Sequence, residues 1–352
     1  MLSGNELWRN CGLLSDEIGP RSRHVSFEHS YLLADGTLTL ASDDRGLSQR
    51  FDDVYGDCAG TSQGPSLQCS VVTHPNLPLV RVSFGEPVAD LVRFVSYVFP
   101  ERGFAAAGQS DNGWTLLTRD GLPFAAVADD GTLLLEKSSG WQSFAGNIAV
   151  NLLLRLQANL LFFHGATCDV GGRGVMFTGP KAAGKTTTSL ALAARGHALL
   201  GDEIAAIRRE TWEAVPFLRA LSIRDGLRAP GIAAALAAID APQEIFPDGQ
   251  PRLRVRASEL FARVPHPVPL RAAFFLRGFA PEPRIEPVAR SVASLRLLQP
   301  LGCTLWNNAS TGSTMDLLRF FEKTACYHLD AGAPDDTATA IEQCVLQHSE
   351  EA

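Results

Sequence analysis

The sequence predicts an α/β (α+β) protein, with a P-loop domain in its second half and a separate strand-rich α/β domain before it. Three observations carry that expectation. An apolar run at 174–178 leads into Gly179-Pro180-Lys181-Ala182-Ala183-Gly184-Lys185-Thr186, which fits G-x-x-x-x-G-K-[ST] and opens a helical stretch to 194. Short apolar strands then alternate with helical patterns to about 345. The first 140 residues instead carry alternating runs punctuated by Asp-Gly turns at 35, 120 and 130.

In the first domain, 31–34 and 37–40 flank Asp35-Gly36 as a hairpin, and 49–75 reads as loop. The run 79–84 alternates as a strand, and 88–98 places Val88, Leu91, Val92, Val95 and Val98 on one side of a helix. The runs 114–118, 124–127 and 132–135 form a meander. The acidic pairs Asp43-Asp44, Asp52-Asp53 and Asp129-Asp130 sit in turn-like contexts and read as solvated turns rather than metal ligands. A helix over 141–158, capped by Ser138 or Ser139 and presenting Ile148, Leu152 and Leu156, links the domains, so that 1–140, 141–159 and 160–352 form the expected division.

The bulk numbers bound the function classes. A chain of 352 residues has room for roughly two cores. At 45% hydrophobic and 20% charged, with a net charge of −7, it has no basic stripe for nucleic acid. The seven cysteines form no C-x-x-C pair and no zinc spacing, which predicts reduced thiols and a cytoplasmic setting. Residues 1–20 lack a basic start followed by an apolar run, and the most apolar window, 148–163, is broken by Asn151, Arg155, Gln157 and Asn159. Neither a leader nor a membrane segment is expected. A homo-oligomer is compatible with the sequence but not required by it.

In the second domain, 160–165 reads as a buried strand containing His164, and 166–170 as a second short one before Gly171-Gly172. Gly196 ends the P-loop helix, and an apolar strand at 198–200 runs into Asp202-Glu203. The runs 204–208 and 213–217 form a hairpin, and 227–240 is helical around Pro230-Gly231. Residues 241–251 read as a mobile surface loop. The run 252–256 alternates, placing Arg252, Arg254 and Arg256 on one strand face. Strands follow at 271–276 and 326–329, and helices at 292–298, 314–323 and 336–346.

The P-loop residues Gly179 to Thr186, with Thr187, are the expected nucleotide-binding set. The two glycines let successive N–H groups point at phosphate oxygens, and the helix start adds partial positive charge. Lys185 would reach the β- and γ-phosphates and the Thr186 hydroxyl would bind Mg²⁺. Asp202-Glu203 follows Lys185 by only seventeen residues. There, one carboxylate can hold the metal and the other can accept the proton of an incoming hydroxyl. One or more arginines should face the moving phosphoryl group. Arg224 is the first choice, with Arg219, Arg252, Arg254 and Arg256 as further candidates.

These motifs together resemble the HPr kinase/phosphorylase family, whose catalytic domain is similar to that of phosphoenolpyruvate carboxykinase. The resemblance rests on His164-Gly165, Gly172-Arg173-Gly174-Val175, the P-loop, Arg195-Gly196-His197 and Asp202-Glu203, in the family's order and spacing. It covers 160–205 closely and the chain to about 345 more loosely. It implies a P-loop kinase domain of that type, with Asp202 as proton acceptor, Lys185 on the phosphates, Thr186 on magnesium and His164 in the active site. Glu203 stands where the family commonly has aspartate, and His197 reads as a structural residue at the helix end. Ser222 occupies the place of the family's metal-assisting glutamate, with Asp225 offset from it, and the first domain has no recognisable counterpart of the family's usual regulatory domain.

The leading expectation is an ATP- and Mg²⁺-dependent kinase acting on a hydroxyl, serine above all, of a protein, peptide or small molecule. Ser222 in that place leaves both full metal coordination and the reverse, phosphorolytic activity open. The alternatives are a nucleotide-binding regulatory protein with reduced catalysis and an NTP-hydrolysing switch. The switch lacks the Asn-Lys-x-Asp guanine signature.

Overall fold

Strands outnumber helices in the computed structural model, which describes residues 5–10, 26–74, 77–85, 103–109, 113–137, 141–224, 230–239, 241–245, 250–262, 264–289, 291–292, 315–316, 319–320 and 323–347. The fold is mixed α/β, in two units. The first comprises Met1–Leu32, Gly36–Asp52 and Ala59–Leu156. The second takes Gln157–Ala352 together with two short early segments, Leu33–Asp35 and Asp53–Cys58.

The first unit is built on β1 (Phe27–Leu33), β2 (Gly36–Ser42), β3 (Ser66–Thr73), β4 (Leu79–Phe84), β5 (Phe104–Gln109), β6 (Trp114–Arg119), β7 (Leu122–Ala128) and β8 (Leu133–Glu136). They form one sheet in the order β1-β2-β3-β4-β8-β7-β6-β5. The meander at β6–β8 is antiparallel, and its turn at Asp120-Gly121 takes positive φ at both residues (52° and 78°), as a tight hairpin turn requires. Helix α1 (Arg45–Tyr55) occupies part of the stretch read as loop, and β3 another part. The correction has a plain cause. Leu47, Phe51 and Tyr55 are buried at four-residue spacing, but polar residues surround them and dilute the period. Asp44 caps α1 by accepting the Gly46 and Leu47 amides at 2.7 and 3.3 Å, and Asp43 accepts the Thr73 amide at 2.9 Å.

Helix α2 (Trp141–Leu156) groups with this first unit. Ile148, Ala149, Leu152 and Leu153 are buried, while Leu156, expected on the same face, is 47% exposed at the helix end. The expected cap at 138–139, the helix at 88–98 and most of that at 292–298 lie outside the described residues.

The second unit contains β9 (Leu160–Val170), β10 (Arg173–Thr178), β11 (Ala198–Gly201), β12 (Ile204–Arg208), β13 (Glu213–Val215), β14 (Leu221–Arg224), β15 (Gln243–Ile245), β16 (Pro251–Val255), β17 (Val268–Phe279), β18 (Arg284–Pro287) and β19 (Ala325–Ala331). Its helices are α3 (Lys185–Ala194), α4 (Pro230–Ala237), α5 (Ala257–Leu260) and α6 (Pro334–Gln347). The main sheet runs β10-β9-β12-β13-β17-β19-β18, with β11 also on β9 and β10 also on β17. The pairs β10–β17 and β17–β19 are parallel. Phe163, Met176, Leu200, Trp212, Phe275 and Phe320 form the core of this unit.

Two expectations for this unit change. β9 is one strand of eleven residues, not two, because it is buried at all but one position and paired along its whole length. Its first half pairs with β12 and its second with β10 and β11. The stretch at 241–251 is not all loop, since β15 pairs with β16, which pairs in turn with β14. Among the described residues no helix is long and apolar enough to cross a membrane.

Candidate active site

The site forms where β9 changes partners. Gly165 follows His164 at that point, and a Cβ there would stand 2.6 Å from the Phe177 carbonyl oxygen. Only glycine lets β9 and the P-loop strand β10 approach so closely. The Gly165 amide donates to the Glu203 carbonyl at 3.1 Å, tying the His-Gly pair to the acidic pair.

The P-loop follows β10. Gly179 takes φ 155°, Ala182 67° and Gly184 101°, so the loop curls through left-handed backbone before α3 begins at Lys185. Gly184 is the N-cap and offers no side chain, leaving the first amides of α3 to a ligand. Lys181 is exposed, and Ala183 is buried beneath the loop. The Lys185 ammonium donates to the Gly179 and Pro180 carbonyls at 2.8 and 3.1 Å, folded along the loop it would share with phosphates. At its far end α3 closes in a Schellman turn. The His197 amide donates to Leu192 O at 3.2 Å and the Gly196 amide to Ala193 O at 3.0 Å. Glu342 of α6 then accepts from Arg195 at 2.7 Å and meets His197 Nε2 at 2.8 Å, which anchors that end in the fold.

The acidic pair sits on a strained turn. Glu203 has φ 75°, a left-handed conformation rare for a side chain of this size, between β11 and β12. That twist sends the two carboxylates to different partners. Asp202 is buried and accepts the Thr186 hydroxyl at 3.0 Å, whereas Glu203 accepts Arg219 at 2.8 Å. Burial, helped by the neighbouring Glu203 charge, pushes the Asp202 carboxyl up from 3.8 to about 6, against the pull of Thr186, Lys185 and Arg219. For Glu203 burial acts upward too, but Arg219, His164, Arg254 and Arg252 outweigh it and hold the carboxyl below its ordinary value. His164, partly buried beside the Lys185 charge, is held below the usual imidazole value by desolvation and by that lysine.

The arginines separate into groups. Arg224 lies exposed at the end of β14, opposite Arg252. Arg219 is the one brought against the acidic pair. Arg254 is buried and donates to Glu244 at 2.7 Å, and Arg256 is held by Glu259. Sequence reasoning placed Arg219 only as a secondary candidate, and nothing local to it marks its contact with Glu203. Ser222 lies on β14 opposite Arg254, with its hydroxyl buried and unbonded among the described residues. Asp225 lies outside them. Among the described residues no three His, Cys, Asp or Glu side chains gather as a metal cage. Thr186 and a carboxylate of the acidic pair are the groups that could stand beside a divalent ion. That donor set is all-oxygen and suits Mg²⁺.

No family model matches the chain. Among curated proteins it is similar to the HPr kinase/phosphorylase of Streptococcus salivarius, 32% identical over 80 residues, covering 23% of this chain and 26% of that protein. The enzyme of the same name from Listeria monocytogenes is 40% identical over 60 residues, covering 17% and 19%. That of Nitrosomonas europaea is 40% identical over 57 residues, covering 16% and 18%. The matches thus span about a quarter or less of the length of these relatives. A solved HPr(Ser) kinase/phosphatase from Coxiella burnetii aligns with 54% of this chain and 91% of its own, at 14% identity and a TM-score of 0.27, too distant to argue from. In sequence, the family this chain resembles is that of the HPr kinase/phosphorylases.

Proposed function

We propose that the chain is an ATP- and Mg²⁺-dependent kinase that transfers the γ-phosphoryl group to a hydroxyl of a protein, peptide or small molecule, serine being the favoured acceptor. The observation that carries this reading is the buried Asp202 carboxylate, 3.0 Å from the Thr186 hydroxyl and raised to about 6. A carboxylate poised near neutrality can take a proton from an acceptor hydroxyl and release it afterwards. A purely structural aspartate gains nothing from that elevation.

In this reading the loop amides and Lys185 hold the β- and γ-phosphates, Lys185 leaving the Gly179 and Pro180 carbonyls to do so. Thr186 would hold Mg²⁺, which when bound neutralises charge on the phosphates. Glu203 joins that set only by releasing Arg219. Arg219 is then the cation nearest the acidic pair, ahead of the exposed Arg224. His164, kept neutral by its surroundings, is available to hydrogen-bond rather than to add charge.

The test is phosphoryl transfer from labelled ATP, wild type against Asp202→Asn. Transfer to a serine peptide or to co-purified acceptors, lost in the variant while ATP still binds, supports the kinase. A second reading, a nucleotide-binding regulatory protein without transfer, draws on Ser222 standing where the resembled family has a glutamate. ATP binding by both proteins with transfer by neither would select it, and hydrolysis indifferent to Asp202→Asn would indicate a nucleotide-hydrolysing switch.

A further inference from the structure

Phe279, at the end of β17, is 66% exposed. Its ring touches the P-loop. A Cβ on Gly184 would stand 3.3 Å from two of its ring carbons, so the missing side chain at Gly184 is what admits the ring. The same ring lines a cavity of about 670 Å³. Thr187 and Thr188 of α3 form one wall, and Gly332, Pro334 and Thr337, at the start of α6, form another. The volume falls within the range of roughly 300–1,000 Å³ typical of small-molecule pockets.

Three features narrow the occupant. The cavity borders the first turn of α3 at Thr187 and Thr188, just after the phosphate-binding loop, and shares the Phe279 ring with Gly184 of that loop. None of its lining residues carries a charge, which suits an uncharged ring rather than a phosphate or a charged peptide. Its walls are held in place. Thr337 donates to the Ala333 carbonyl and accepts the Gly332 amide, both at 2.9 Å. Glu342 further along α6 clasps Arg195 and His197 at the end of α3. A preformed slot beside an exposed aromatic face binds flat heteroaromatic rings at small ordering cost.

We propose that this cavity takes the purine base of the nucleoside triphosphate, with Phe279 stacking on it, and so selects purine over pyrimidine nucleotides. The inference rests on the P-loop reading above. It is tested on the full chain by measuring Kd for ATP, CTP and inorganic tripolyphosphate in wild type, Phe279→Ala and Phe279→Trp. Losing one base–aromatic stack should weaken ATP roughly tenfold in Phe279→Ala, with Phe279→Trp restoring it. Tripolyphosphate binding should not change between the three proteins, which also shows the variants folded. The preference for ATP over CTP should be present in wild type and shrink in Phe279→Ala. Equal ATP affinity in wild type and Phe279→Ala, or equal loss of ATP and tripolyphosphate, overturns the base pocket while leaving the P-loop intact. Failure of wild type to bind tripolyphosphate or ATP overturns both.

Discussion

The two eight-stranded sheets treat charge differently. Among its described residues the first unit buries a single acid, Glu136, and its sheet is antiparallel apart from the β2–β3 pair. The second unit buries Asp169, Asp202 and Arg254, and threads parallel pairs through β10, β17 and β19. Asp169 is explained by structure alone, since it accepts the Gly172 amide at 2.6 Å in the turn before the P-loop strand. Asp202 is not so explained, because its one hydroxyl partner leaves it raised rather than settled. Burial of a carboxylate that its partners do not fully offset, beside the P-loop motif, is what the proposed proton-accepting role would call for.

The largest test of that contrast is Asp202→Asn. Transfer should fall by roughly 10²–10⁴-fold, the usual contribution of a positioned base, in steady-state rates with labelled ATP. The same change should stabilise the fold. The native carboxyl binds its proton up to about 6 whereas the unfolded one releases it near 3.8, so wild-type stability drops as pH rises through that window. Above it the deficit is about 3 kcal/mol. Thermal melts should therefore show the Asn variant ahead of wild type at pH 8 and level with it near pH 4. A variant less stable than wild type at pH 8 would place Asp202 with Asp169, as a structural acid.

Glycines give the next comparison. Gly165→Val would drive a side chain into the Phe177 carbonyl, in a segment where β9 has two partners, and should cost about 3 kcal/mol or more by denaturant titration. Gly121→Ala, in the first unit, meets nothing within 4 Å and pays only for its φ of 78°, about 1–2 kcal/mol. The smallest effect belongs to Glu342→Ala. Its partners are partly exposed, so about 0.5–1 kcal/mol of stability is at stake.

The local motifs were legible from the sequence. The P-loop, the His164-Gly165 pair and the Gly196 helix stop each depend on neighbours a few residues away, which a pattern records directly. The tie of Arg219 to Glu203 depends on where the chain after β13 returns, which no local pattern records. Glu342 gave no signal, since 145 residues separate it from His197. Helix α1 was hidden for another reason, as its three core residues are scattered among polar ones and a short helix shows little period. Phe279 ends an alternating strand, and nothing in the alternation says its ring would remain uncovered.

The assignment of Leu33–Asp35 and Asp53–Cys58 to the second unit bears on how this protein can be divided. Asp35 accepts Nη2 and Nε of the Arg208 guanidinium, at 2.9 and 3.1 Å, and the Gln157 side chain accepts its amide. The Val54 carbonyl accepts the Ala220 amide at 2.6 Å, and Asp57 holds Ser258. A gene fragment opening at codon 157 would encode the P-loop and the acidic pair yet omit these braces. The halves are thus interleaved along the polypeptide, and neither could be exchanged between proteins by a single crossover.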